Sequence, residues 1–314
     1  MTHKKIDYSK QPITDVPDHI LDMVPAEAER YFTKDPDRLL GGYSDEAKDV
    51  IRKISTHTKT RSPERRALHK EIILKILGGR TGTPEGVKPP FLLFAGPAGA
   101  GKSALRAQFE KGKPLGDEHL NEAQRIYRDN IDSCIYIDFK IFKDSIPEYK
   151  AANTAYRTKF GDMYAVVRSE ISGLNQAVRQ FAKEANLGKV QEQIFDVDLR
   201  TSGELDGDAK QYDMTLFAVT CDPETIRERV QARPEPMQDK EVVRAVREFS
   251  KDYAFGYLNE ISARTFLVDT NGKHKTVLAA KNGKTTFERP EEFQQFNDLT
   301  SYEPKAELGK SKSI

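Results

Sequence analysis

Short apolar runs alternate with longer amphipathic stretches along most of this chain. Runs of strand length and character fall at residues 91–95, 134–138, 193–198, 214–221 and 265–269. Helical spacing of apolar residues fills most of the gaps, notably residues 151–185, with an interruption near Gly161. Strands alternating with helices predict an α/β fold, a mainly parallel sheet flanked by helices on both faces. Two segments depart from the alternation. Residues 111–133 form a polar excursion before the second strand. Residues 275–288 read as a β-hairpin, because Asn282-Gly283 lies between two strand-like runs. A short helix is predicted over 290–296, and residues 300–314 form a polar tail with no core-forming pattern.

Ahead of the first strand the pattern is helical. One helix is predicted over residues 17–32. A second follows the Gly41-Gly42 break, with Ser44 as N-cap and Asp45 and Glu46 in its first turn, where carboxylates meet the positive end of the helix dipole. A third runs over 62–77, with Pro63 at the first helical position and Gly78-Gly79 as its stop. Apolar spacing over 71–77 suits packing on a core, and residues 80–90, which hold Gly, Thr and Pro, read as a linker.

Composition narrows the picture a little. A chain of 314 residues suits one large domain or a core with additions. Lys and Arg number 50 against 49 Asp and Glu, so the net charge is +1 and no basic excess points to nucleic acid as a partner. No apolar run reaches the about 18 residues that would span a membrane, and no signal peptide is read. A soluble chain in a reducing cytoplasm, its own or a host's, is expected. Cys134 and Cys221 sit in apolar, strand-like runs and read as two buried, reduced thiols. The histidines are scattered without metal-ligand spacing.

The chemistry is concentrated after the first strand. Gly96, Pro97, Ala98, Gly99, Ala100, Gly101, Lys102 and Ser103 spell G-x-x-x-x-G-K-S, the phosphate-binding P-loop. An apolar strand precedes it and a helical pattern follows, which is the context the motif needs. Glycines let the backbone curl so that successive N–H groups face one anion, and the new helix adds the positive end of its dipole. Lys102 is placed to hold β- and γ-phosphates, and the Ser103 hydroxyl to bind Mg²⁺. ATP or GTP with Mg²⁺ is therefore the expected ligand. The second predicted strand ends at Asp138, and ligands of open α/β sheets bind beyond the carboxyl ends of the strands. A carboxylate there can hold Mg²⁺ or accept a proton from an attacking hydroxyl. It can equally cap a helix.

Three stretches together resemble the zeta toxin group of P-loop kinases. They are Gly96 to Arg106, with Lys-Ser followed by x-Leu-Arg; Ile137 to Tyr149, with Ile-Asp-x and then Pro147-x-Tyr149; and Thr225 to Val243, with helix arginines and then Arg233-Pro-Glu-Pro. The close at Phe266-Leu-Val-Asp-Thr-Asn-Gly also resembles the end of that fold, so the resemblance covers roughly residues 88–297. It implies three regions: an N-terminal helical extension over 1–87, a P-loop kinase domain over 88–299, and the tail over 300–314. It also implies a small-molecule kinase that moves the γ-phosphoryl group of ATP or GTP to a hydroxyl of a nucleotide-linked metabolite, UDP-N-acetylglucosamine-like or NAD-like. Such a chain would be a bacterial toxin or an effector secreted into a host cell, with an antitoxin or chaperone as partner. By position, Lys102 would clamp phosphates, Ser103 would hold Mg²⁺, and Arg233, with Arg227 or Arg229, would neutralise the transferring phosphoryl group.

Two positions depart from the family pattern. Lys140 stands where the family has its catalytic base, and a lysine ammonium has no lone pair to accept a proton. The third predicted strand ends with Asp196 and Asp198 where the family has Glu-Gly-Thr, so Asp198 becomes a candidate for the acid or base role alongside Asp138. Glu170 matches the family's substrate-gripping helix acid by position, whereas its sequence surroundings predict an exposed helix glutamate. Two other classes stay open: a nucleotide-binding module that has lost catalysis, and a polynucleotide kinase, which the balanced charge disfavours.

Overall fold

A computed structural model describes residues 6–34, 40, 43–56, 59–137, 139–194, 204–232, 239–254, 260–271 and 275–303. In chain order it begins with α1 (Asp18–Lys34), α2 (Asp45–Ile54) and α3 (Pro63–Leu77). Then follow β1 (Pro90–Gly96), α4 (Lys102–Lys111), α5 (Glu118–Ile131), β2 (Cys134–Tyr136), α6 (Phe139–Ser145), α7 (Pro147–Phe160) and α8 (Arg168–Glu184). The remainder is β3 (Gly188–Ile194), α9 (Glu204–Gln211), β4 (Asp213–Thr220), α10 (Pro223–Gln231), α11 (Asp239–Ala254), β5 (Arg264–Asp269), β6 (Thr276–Asn282), β7 (Lys284–Glu288) and α12 (Pro290–Asp298). The strands form one sheet of order β2-β3-β1-β4-β5-β6-β7. The chain divides into two units, Met1–Val87 with Ile135–Leu187, and Lys88–Cys134 with Gly188–Ile314.

The first unit is helical, and Ser44 caps α2 as the sequence predicts. The Ser44 hydroxyl accepts the Ala47 N–H at 3.3 Å, and the Ser62 hydroxyl accepts the Arg65 N–H at 3.2 Å. Each cap satisfies one of the orphan donors at a helix start and is worth about 1 kcal/mol. Pro63 opens α3 and Gly78 closes it. Ile20 and Val24 of α1, Ile73 and Ile76 of α3, and Leu174, Val178 and Phe181 of α8 are buried in one core. Full burial of each such side chain is worth about 1.5–3 kcal/mol. α1 crosses α8 at Gly173, where a Cβ would lie 2.3 Å from the Val24 carbonyl oxygen. Residues of 1–87 and of 135–187 thus share a single core.

The second unit carries β1 and β3 to β7. β1 is buried from Phe91 to Ala95, as a strand covered on both faces must be. It pairs in parallel with β3 on one side and β4 on the other, setting Phe94 opposite both Glu192 and Phe217. The Phe94 and Phe217 rings stack at 4.7 Å. β4 pairs in parallel with β5, after which β6 and β7 run antiparallel as the predicted hairpin. Gly283 takes φ 72° at its turn, a value that favours glycine.

Two expectations are corrected. The third strand is β3, Gly188–Ile194, and not 193–198. Its polar side chains hid it: Lys189 pairs with Asp208 at 2.6 Å and Glu192 with Arg106 at 2.6 Å, partners that adjacent sequence does not show. The polar excursion at 111–133 contains α5, capped by Asp117 through the Leu120 N–H at 2.9 Å. Leu120, Ala123 and Tyr127 form its buried stripe, at spacings of three and four residues.

Candidate functional site

The P-loop follows directly from β1. At Gly96 the backbone passes so close to β4 that a Cβ would lie 2.1 Å from the Val219 carbonyl oxygen. Gly101 takes φ 95°, and a Cβ there would meet the Thr270 hydroxyl at 3.1 Å. The same hydroxyl donates to the Ala100 carbonyl at 2.6 Å, which ties the loop to the end of β5. Gly101 also caps α4 without a side-chain bond. The start of α4 carries the positive end of the helix dipole, which favours an anion there.

Lys102 is buried, and its Nζ donates to the Gly96 and Pro97 carbonyls, each at 2.8 Å. The ammonium therefore lies within the curl of the loop. The Ser103 hydroxyl donates to the Glu192 carboxylate at 2.5 Å. Arg106 Nε donates to the other oxygen of Glu192 at 2.6 Å and also binds Glu110, which accepts the Tyr127 hydroxyl at 3.2 Å. Glu192 is thus held on β3, the neighbour of the P-loop strand, with one oxygen on the serine. Lys102, Ser103 and Glu192 line a cavity of about 540 Å³ together with Gly99, Arg229, Thr270 and Lys275.

Arg229 reaches the cavity from α10, donating through Nη1 to the Gly99 carbonyl at 3.2 Å and to Cys221 Sγ at 3.4 Å. Lys275 enters from just before β6. Burial, and then the Arg229 charge, lowers the pKa of its ammonium below 10.5. In chemical terms the cavity offers three cations and a hydroxyl–carboxylate pair at the start of a helix.

The zeta toxin family model matches residues 75–288, more than half of the chain. The chain belongs to the zeta toxin family. Members of that family are kinases. Among solved structures, the complex of AvrRxo1-ORF1 with AvrRxo1-ORF2 and sulphate ions is 14% identical, covers 79% of this chain and 75% of that chain, and has a TM-score of 0.48. The same complex with ATP is 14% identical over 80% and 76%, with a TM-score of 0.47. The PezAT chromosomal toxin–antitoxin system of Streptococcus pneumoniae is 14% identical over 81% and 88%, with a TM-score of 0.45. No curated protein matches.

The remaining site residues of this zeta toxin family chain divide sharply. Of the two helix arginines, only Arg229 lines the cavity. Arg227 is a structural residue instead: its side chain is 1% exposed, it grips Asp239 with two bonds of 2.7 Å, and it binds Glu224 at 2.6 Å. Asp138, Asp196, Asp198 and Arg233 lie outside the described residues. Lys140 is exposed and pairs with Asp144, one helical turn on, at 2.9 Å.

Glu170 is not the exposed helix glutamate that the sequence predicts. It is fully buried, held by Arg65 through two bonds of 2.6 Å and by His69 Nε2 at 2.7 Å. Cys134 and Cys221 are buried free thiols, and burial raises the pKa of Cys221. No helix among the described residues is long and apolar enough to cross a membrane.

Sequence reasoning missed Glu192, Thr270 and Lys275. Glu192 had a signal: an acid two residues short of the end of the strand beside the P-loop strand. Lys275 had none, because its role depends on where the β5–β6 connection returns.

Proposed function

We propose that this chain is an ATP-dependent kinase that transfers the γ-phosphoryl group to a hydroxyl of a small, nucleotide-linked molecule. The observation that carries this reading is the convergence of Lys102, the Ser103–Glu192 pair and Arg229 on one cavity at the start of α4. Lys102 and the loop N–H groups would hold the donor's phosphates, and Arg229 would meet charge that develops during transfer.

The donor set fits Mg²⁺. That ion prefers oxygen ligands and commonly takes one or two from the protein, with phosphate and water completing its shell. Ser103 and Glu192 are the residues that would hold it, and it would neutralise charge on the β- and γ-phosphates. Arg106 would keep Glu192 turned to that position.

A base must take the acceptor's proton. Lys140 offers donors only, so we assign the base to Asp138, with Asp198 as the alternative. Arg233 would add a second planar cation to the transferring group. A UDP-N-acetylglucosamine-like or NAD-like acceptor is the substrate class that the family suggests, and an antitoxin is the partner that it suggests.

Incubation with γ-labelled ATP and a polar metabolite extract, followed by mass identification of the labelled product, tests the reading. One phosphorylated nucleotide-linked product is expected with the wild type and none with Lys102→Ala. Lys140 at the family's base position favours a second reading, a nucleotide-binding module without transfer. Tight binding of ATP·Mg²⁺ with no labelled product would establish that reading in place of the first.

A further inference from the structure

Most of the buried or half-buried cations in the described part of the second unit have a carboxylate against them. Arg106 has Glu192 and Glu110, Lys189 has Asp208, and Arg227 has Asp239 and Glu224. Half-buried Lys275 departs from this. The acceptors on Arg229 Nη1 are the neutral Gly99 carbonyl and Cys221 Sγ, and no carboxylate pairs with Arg229 or with Lys275 among the described residues. Both side chains line the cavity that also holds Lys102.

Nor does the fold bring the two together by accident of a loose loop. Lys275 immediately precedes Thr276, which pairs with Asp269 at the end of β5. Arg229 sits on α10, whose first turn is fixed by Asp222 through the Thr225 N–H at 2.8 Å. Two separately anchored elements therefore carry like charges to one cavity. Like charges so placed raise each other's cost, and an anion between them reverses the sign of that interaction.

We propose that Lys275 and Arg229 form a second anion clamp beside the P-loop, and that it binds the polyphosphate of the donor nucleotide. This inference rests on the nucleotide-binding reading above. The P-loop and Lys102 supply one side of the polyphosphate's counter-charge, and the clamp supplies the other. Lys275 is then a binding residue that touches substrate, although no motif marks it. The direction of its pKa agrees: burial and Arg229 lower it in the free protein, and a phosphate alongside raises it again, so binding draws in a proton at pH values approaching 10.5.

Calorimetric titration of the full chain tests this, using ATP·Mg²⁺ and, separately, adenosine as probes. Lys275→Gln should weaken ATP·Mg²⁺ binding about ten-fold or more, the usual worth of a charge-assisted hydrogen bond. Lys275→Arg should restore most of the loss, and adenosine binding should be unchanged in both variants. Near pH 9.5 (about one unit below an unperturbed lysine) the wild type should bind with a buffer-dependent heat that shows proton uptake, and Lys275→Gln without it. An unchanged melting temperature confirms that the variants are folded. ATP·Mg²⁺ affinity in Lys275→Gln within two-fold of wild type, with Lys102→Ala unable to bind, overturns the clamp and leaves the P-loop reading standing. Failure of the wild type itself to bind ATP·Mg²⁺ overturns both.

Discussion

Arg65 grips Glu170 through two parallel hydrogen bonds of 2.6 Å, with the carboxylate fully buried. Arg65 lies on α3, ahead of the segment that matches the family model, and Glu170 lies within it. Removing one partner of a buried pair leaves an uncompensated charge, which costs about 3–5 kcal/mol. Arg65→Ala should therefore lower the free energy of denaturant unfolding by about that amount. A loss below about 1 kcal/mol, the usual worth of an exposed pair, would show that the pair is not buried as described.

The same carboxylate should leave a mark on the pH profile. Burial alone would raise its pKa, but hydrogen bonds from His69 and Arg65 outweigh burial and hold it below the ordinary 4.5. A carboxyl lowered by folding stabilises the fold above its unfolded pKa, and that contribution disappears as pH falls through the folded value. The stability gap between wild type and Glu170→Gln should be full at neutral pH and shrink below pH 4.5. A gap independent of pH would contradict the assignment.

Truncation at Lys88 offers a broader test. It removes α1 and α3 from a core that they share with α8, and it removes Arg65 from Glu170. The fragment beginning at Lys88 should aggregate or expose apolar surface to a hydrophobic dye. A soluble fragment with a cooperative melt would show that residues 1–87 are dispensable for folding.

Arg227 and Arg229 should separate stability from function. Arg227 joins α10 to Asp239 at the start of α11 with its own side chain buried, so Arg227→Ala should cost about 1–3 kcal/mol. Arg229 faces the cavity, so Arg229→Ala should stay within about 0.5 kcal/mol of wild type in stability while losing phosphoryl transfer. Equal losses of stability in the two variants would refute the division.

How much of this was legible in sequence depended on range. The P-loop was readable because its backbone geometry is encoded in eight consecutive residues, with strand and helix signals on either side. The cap at Ser44 was readable for the same local reason. Glu170 was misread because its partners stand about a hundred residues away, at 65 and 69, so nothing near it suggested burial. Arg227 and Arg229 looked equivalent. Two residues on a helix turn through about 200°, and only the packing shows which one meets the acids and which one the cavity. β3 was misplaced because its polar residues find partners across the fold, and Glu192 was overlooked with it.

The nucleotide site proposed above has the Ser103–Glu192 pair and Lys102 at its phosphate and metal end. A structure of the chain with a non-hydrolysable ATP analogue and Mg²⁺ tests it most directly. The prediction is a triphosphate in the curl of Gly96 to Ser103, Lys102 turned from the Gly96 and Pro97 carbonyls to phosphate, and Mg²⁺ on the Ser103 hydroxyl with Glu192 bound to the ion or to its water. A nucleotide seated elsewhere, or one seated here with Ser103 still bonded to Glu192 and no metal between, would contradict it.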